Sequence, residues 1–172
     1  MPDYAAFVRA INVGGNNRVA MADLRVVFES VGCTGVRTIL QSGNVALTSA
    51  LDEVELVEAA NAAFTRRFGF GGDIAVRTPA ELDALAARNP YLAAEPDLTK
   101  LHVAFAAAAP SMAAVAAIDV DHALPDRFTV DGRDVFIWYR NGAGTSKLKL
   151  RLGVPITARN WKTVTKVQAM FG

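Results

Sequence analysis

The residues best suited to chemistry lie where acidic residues run out. From Val135 to Gly172 the chain has no Asp or Glu. The same stretch carries Arg140, Lys147, Lys149, Arg151, Arg159, Lys162 and Lys166, a charge of +7. That leaves 11 of the 18 basic residues against all 17 acidic ones elsewhere, a net of −6. Within the basic stretch, Asn141-Gly142-Ala143-Gly144-Thr145-Ser146-Lys147 is a glycine loop followed by a hydroxyl and an ammonium. Backbone N–H groups of such a loop can cradle an anion, with Ser146 donating a hydrogen bond and Lys147 a charge. Arg159-Asn160-Trp161-Lys162 adds two more cations, spaced to share a helix edge with Lys166, and Asn160 is placed to cap that helix. Arg9 precedes a second glycine loop, Asn12-Val13-Gly14-Gly15-Asn16-Asn17, while Gln41, Ser42 and Asn44 form a third polar turn around Gly43. The shared chemistry is recognition of an anion, most naturally a phosphate. The spacing is neither the GxxxxGK[ST] of a P-loop nor a dinucleotide fingerprint.

Each motif also has a structural reading. Glycine and asparagine are the residues that turns require, so the three loops can be turns and nothing more. A solvated basic face with Trp161 buried is the counterpart for the Arg159 segment. Phe136, Trp138 and Tyr139 share one expected strand beside the basic tail, which keeps nucleic acid open as an alternative partner. An interaction protein with no small-molecule ligand is the third alternative. His102 and His122 lack a second ligand at metal spacing, so no metal site is expected. Cys33 is the single cysteine, which excludes an internal disulfide and a CxxC site; the thiol is expected to be buried and inert. No nucleophile elbow or Ser-His-Asp order is present, and no particular cofactor or reaction is indicated.

These groups need elements to position them. Apolar residues are 52% and charged residues 20% of 172, the balance of a globular protein. The start lacks a leader pattern and the apolar runs are too short to span a bilayer, so a cytoplasmic protein without membrane association is expected. Tyr4–Ile11 reads as a strand. Met21, Leu24, Val27, Phe28 and Val31 follow at helical spacing. Val36–Leu40 and Val45–Thr48 form a hairpin over Gln41–Asn44, a helix runs from Asp52 to Phe68, and Asp73–Arg77 is a strand. Thr78-Pro79-Ala80-Glu81 opens another helix. After Pro90 and Pro96 the order starts again. Lys100–Ala106 is a strand, Pro110–Ile118 a helix, and Arg127–Val130 with Asp134–Tyr139 a hairpin. Helical segments are expected near Ser146–Leu152 and Asn160–Phe171. The fold expected is therefore α+β. It consists of two ferredoxin-like βαββαβ-type halves with mostly antiparallel sheets, residues 1–90 and 91–172, the second modified at its C-terminus. In the first half this topology brings Asn12–Asn17 beside Gln41–Asn44.

Four segments together resemble a known family. Arg9-Ala10-Ile11-Asn12-Val13-Gly14-Gly15 resembles RGINVGG, and Gln41-Ser42-Gly43-Asn44-Val45 resembles QSGNV. Asn141 to Leu148 resembles NGxGxSKL, and Arg159 to Val164 resembles RNWNTV. In this order they look like the bacterial DUF1697 family of unknown function. Ala10 stands where the family usually has Gly, and Lys162 where it often has Asn. The resemblance implies a compact α+β protein and assigns no reaction.

Overall fold

A computed structural model describes residues 1–172. The chain divides into two compact units, Met1–Asp83 with Lys166–Gly172, and Ala84–Thr165. The expected division after residue 90 thus differs from the observed one, which falls inside two helices.

Unit one contains β1 (Asp3–Phe7), α1 (Met21–Ser30), β2 (Thr34–Ile39), β3 (Asn44–Thr48), α2 (Glu53–Phe68) and β4 (Ala75–Arg77). Its sheet has the order β2-β3-β1-β4, and every neighbouring pair is antiparallel. This is the ferredoxin-like order read from the sequence. The helix α1 buries Leu24, Val27 and Phe28, spaced three and four apart. They join Tyr4 and Ala6 of β1, Val8 just after it, Val45 and Leu47 of β3, and Leu56, Ala60 and Phe64 of α2 in one core. The helix α2 begins at a reciprocal capping box between Asp52 and Glu55 and ends at left-handed Gly69. A further helix, α3 (Pro79–Arg88), opens as expected: Glu81 N–H donates to Thr78 Oγ1 at 3.2 Å, and Thr78 N–H to Glu81 Oε2 at 2.8 Å.

Unit two contains β5 (Leu101–Ala106), the short helices α4 (Met112–Ala116) and α5 (Val120–Ala123), β6 (Arg127–Asp131), β7 (Asp134–Trp138) and β8 (Ile156–Asn160); α6 (Trp161–Gln168) follows, its last residues from Lys166 counted with unit one. The order β6-β7-β5-β8 repeats that of unit one. The registers correspond as well. Phe7 faces Asn44 as Phe105 faces Asp134, and Ala5 faces Arg77 as Val103 faces Arg159. Both arginines are buried, at 1% and 8% exposure. A buried arginine at the same lattice point of both sheets supports descent from one repeated unit more strongly than element order alone.

Two expectations near the C-terminus are corrected. Residues 146–152 form no helix; they run from Ser146 to Leu152 without helix, turn or bend. The alternation Lys-Leu-Lys-Leu-Arg-Leu has the period of two that belongs to extended chain. Leu152 is buried with Ala104, Val135 and Ile137, and Leu148 and Leu150 pack against the same cluster. The second correction is β8, a strand where none was expected. Arg159 therefore stands on a strand and not on the edge of α6.

In unit one, Gly43 is held against the end of β1, where Val8 N–H donates to Gly43 O at 2.9 Å. Its φ is +83°, and a Cβ there would lie 2.7 Å from Ile11 Cδ1 and 3.0 Å from Val8 Cβ. Gly43→Ala is expected to destabilise the protein by about 3 kcal/mol, the sum of a left-handed backbone penalty and overpacking. Urea denaturation of the two proteins measures it.

Candidate functional site

In unit one the sheet brings two predicted motifs together. Asn12 Nδ2 donates to Val19 O at 2.9 Å and to Gln41 O at 2.7 Å, while Asn12 Oδ1 accepts from Val19 N–H at 2.8 Å. Asn12 thus joins the loop after β1 to the turn between β2 and β3, and its side chain is occupied in doing so. Gly14 and Gly15 both have positive φ, 59° and 77°, and Asn16 N–H donates to Val13 O at 3.0 Å. This is the backbone of a primed hairpin turn. Asn44 is fully buried, and its Nδ2 donates to Ile39 O at 2.9 Å and to Ser42 Oγ at 3.0 Å. Arg9 pairs with Asp73 at 3.1 Å on the surface. Ala10 has φ +51°, a conformation that glycine enters without strain, which is a physical reason for the usual Gly at this motif position.

Beside these turns lies an open groove of about 640 Å³ lined by Asn12, Gly15, Arg18, Val19, Ala20, Asp23 and Gln41. Arg18 is its exposed cation, and the sequence reading did not single it out. Asp23 is paired with Arg67 at 2.9 Å.

In unit two the glycine loop is likewise tied down from within. Gly142 has φ +89°, and its N–H donates to Tyr139 O at 3.0 Å. Gly144 sits in a single 3₁₀ turn, Ala143–Thr145. Asp126, 8% exposed, organises the loop: Oδ1 accepts from Arg140 N–H at 2.8 Å and Oδ2 from Ser146 Oγ at 2.6 Å. Ser146 Oγ in turn accepts from Leu148 N–H at 3.0 Å. Ser146 is therefore a hinge pin for the chain that follows. The helical segment expected to follow this loop, near Ser146–Leu152, is not formed. Asn141 and Lys147 do converge, on a cavity of about 270 Å³ that they share with His122, Ala123, Leu124, Pro125, Asp126 and Thr145.

The Arg159 motif separates. Burial lowers the Arg159 pKa to about 10, which leaves it charged at neutral pH, and its Nη1 donates to Ala158 O at 2.9 Å. Asn160 caps α6 as expected, accepting from Thr163 N–H at 2.9 Å. Lys162 is exposed, and its field helps lower the Asp97 pKa, behind the larger effect of hydrogen bonds from Thr99. The aromatic strand is mostly committed too. Phe136 is fully buried, and Trp138 Nε1 donates to Glu95 Oε2 at 3.0 Å while the Arg140 guanidinium lies 4.1 Å from its ring centroid. Cys33 is buried, and desolvation raises its pKa, as expected of an inert thiol.

The cations left without an ion pair in this unit include Lys147, Lys149 and Arg151, all exposed along the extended segment. Lys149 and Arg151 were outside the predicted site. The strict alternation with leucine was the signal that could have found them.

What the fold and site define is a two-unit α+β protein with a basic strip on its second unit. The chain belongs to DUF1697, a family described as proteins of unknown function, whose match covers residues 1–136. That match contains the Arg9–Gly15 and Gln41–Val45 motifs and stops before Asn141. The chain is also similar to the conserved bacterial protein SP0830 from Streptococcus pneumoniae, at 27% identity over 99% of both chains, with a TM-score of 0.76. No curated protein matches it. No helix is long and apolar enough to cross a membrane.

Two measurements follow from the geometry. Asn12→Ala removes three hydrogen bonds and leaves a non-glycine residue at φ +54°; a loss of about 3 kcal/mol is expected in urea denaturation. His102, on β5, lies edge-to-face with Tyr139 at 4.9 Å; its Nδ1 has no hydrogen-bond partner, and burial lowers its pKa to about 4. The folded pKa lies below the unfolded value of 6.5, so the neutral ring's contribution is complete above pH ~6.5 and is lost as pH falls towards ~4. The amount is on the order of 2 kcal/mol after allowance for partial exposure. Comparing His102→Leu with the parent across this window should show a flatter stability curve for the variant.

Proposed function

We propose that the protein binds a phosphate-bearing ligand through the exposed cations of its second unit. The observation that carries this reading is the segment Ser146–Leu152. Its leucines turn inward, and Lys147, Lys149 and Arg151 turn outward with no carboxylate paired to them. Some surface arginines do have carboxylate partners, as in Arg9–Asp73, Arg67–Asp23 and the Arg88 contacts with Asp131 and Asp134 at 2.8 and 2.9 Å. Three neighbouring cations without such partners form a local positive field that draws anions. Asn141, Thr145 and His122 supply an amide, a hydroxyl and an imidazole beside Lys147 for neutral hydrogen bonds.

In this reading the glycine motifs shape turns and are not themselves the cradle. Arg9, Asn12, Gly14, Gly15, Gln41, Ser42 and Asn44 hold unit one together, and Arg159 and Asn160 do the same for unit two. The ligand-facing members of the predicted set are Asn141 and Lys147, joined by Lys149 and Arg151. A cytoplasmic setting suits a single buried thiol.

Thermal unfolding in the presence of pyrophosphate, mononucleotides and sugar phosphates tests the reading. A ligand at a hundredfold excess over its Kd stabilises by about 2.7 kcal/mol, a rise of several degrees in a chain of this length. The rise should disappear in Lys147→Ala and persist in Arg18→Ala. Persistence in Lys147→Ala would move the site to the groove of unit one.

A further inference from the structure

The extended segment is more than a cluster of positive charge, because its geometry repeats. Residues 146–152 lie without a bend and without a ladder to any strand. Extended chain rises ~3.3 Å per residue, so Lys147, Lys149 and Arg151 follow one another at steps of about 6.6 Å on one side. Leu148, Leu150 and Leu152 fix that side by packing into the core cluster of Ala104, Val135 and Ile137. A repeat of this size is comparable with the step between successive phosphates along an unstacked nucleic-acid strand. Sugar phosphates, mononucleotides and other compact phosphates engage one such rung; a polymer engages all three.

The start of the row adds a second feature. Lys147 also lines the cavity of about 270 Å³ whose polar wall is His122, Asn141, Thr145 and Asp126. That volume is below the ~300–1,000 Å³ range of pockets for drug-sized ligands and suits one planar base. Amide and hydroxyl groups there can hydrogen-bond a base edge. A base can enter only if it is splayed from its neighbours, which single strands permit and duplexes resist.

Resting on the phosphate reading above, we propose that Lys147, Lys149 and Arg151 form a three-rung track for the backbone of a single-stranded nucleic acid, with one base seated in the His122–Asn141–Thr145 cavity. The track is sequence-independent, because lysine and arginine read phosphate charge. Any preference among bases comes from the cavity.

Fluorescence anisotropy with labelled single-stranded DNA and RNA from about four to about fifteen nucleotides, the range of single-strand site sizes, tests this on the full chain. Matched duplex and inorganic polyphosphate serve as competitors. Single strands should bind more tightly than duplex. The plot of log affinity against log salt should have a slope of about −2, the value for three phosphates of a single strand. Lys147→Ala, Lys149→Ala and Arg151→Ala should each reduce that slope by about 0.7. Lys149→Arg should keep it, and so should Lys162→Ala. Asn141→Ala should weaken discrimination among bases and leave the slope intact. Equal competition by duplex or polyphosphate, or a slope indifferent to all three substitutions, overturns the track and leaves the phosphate reading standing. Absence of binding to every one of these polyanions, together with no thermal shift from small phosphates, overturns both.

Discussion

Each sheet is organised by its two inner strands. β1 with β3, and β5 with β7, are hydrogen-bonded on both edges, so their registers fix what the neighbouring turns can meet. In unit one the register of β1 with β3 carries Gly43 onto Val8 and Ile11 and carries the Gln41 carbonyl to Asn12. A slip of one residue would turn each strand's core side chains to the opposite face and dissolve these contacts together. In unit two the register of β5 with β8 places Arg159 beside Val103 and Asn160 beside His102. The side chain of the first is thereby buried, and the second is set at the mouth of α6. Much of what looked like ligand chemistry in the sequence is the local consequence of these registers.

The fold was legible because its signals are redundant. Helices α1 and α2 announce themselves by the spacing of their apolar residues, α3 by its capping residues, and the β2–β3 hairpin by Gly43 between two apolar runs. The strand β8 was not legible. Its buried positions include Thr157 and Arg159, polar residues where a pattern search expects apolar ones, and α6 begins directly after it. Residues 146–152 were misread for a different reason. A glycine loop followed by Ser-Lys suggested a helix start, and that suggestion outweighed a period-two alternation that was plainly present.

The candidate site was less legible than the fold, for a reason that lies in the side chains. Asparagine and serine close turns with the same donors and acceptors that bind ligands, and only the positions of partner carbonyls separate the two roles. Asn12, Asn44 and Ser146 each find those partners within their own unit. Charge is different. A lysine cannot satisfy itself, so a run of cations without acids remains informative even when its secondary structure is assigned wrongly. The basic C-terminal stretch divides accordingly: Arg159 goes inward, whereas Lys147, Lys149 and Arg151 stay in water.

The two units also differ in how their third and fourth strands are joined. In unit one the connection is the sixteen-residue helix α2, which consumes its own peptide groups. In unit two it is an extended strap, and chain of that kind keeps N–H and C=O groups available to a passing strand. Such an edge is a liability in a crowded solution, where a second molecule could zip onto it and begin an aggregate. Alternating positive charges are the usual guard against that outcome, since two copies brought edge to edge would face each other with like charge. The strap can thus stay open to solvent without becoming a seam for self-association.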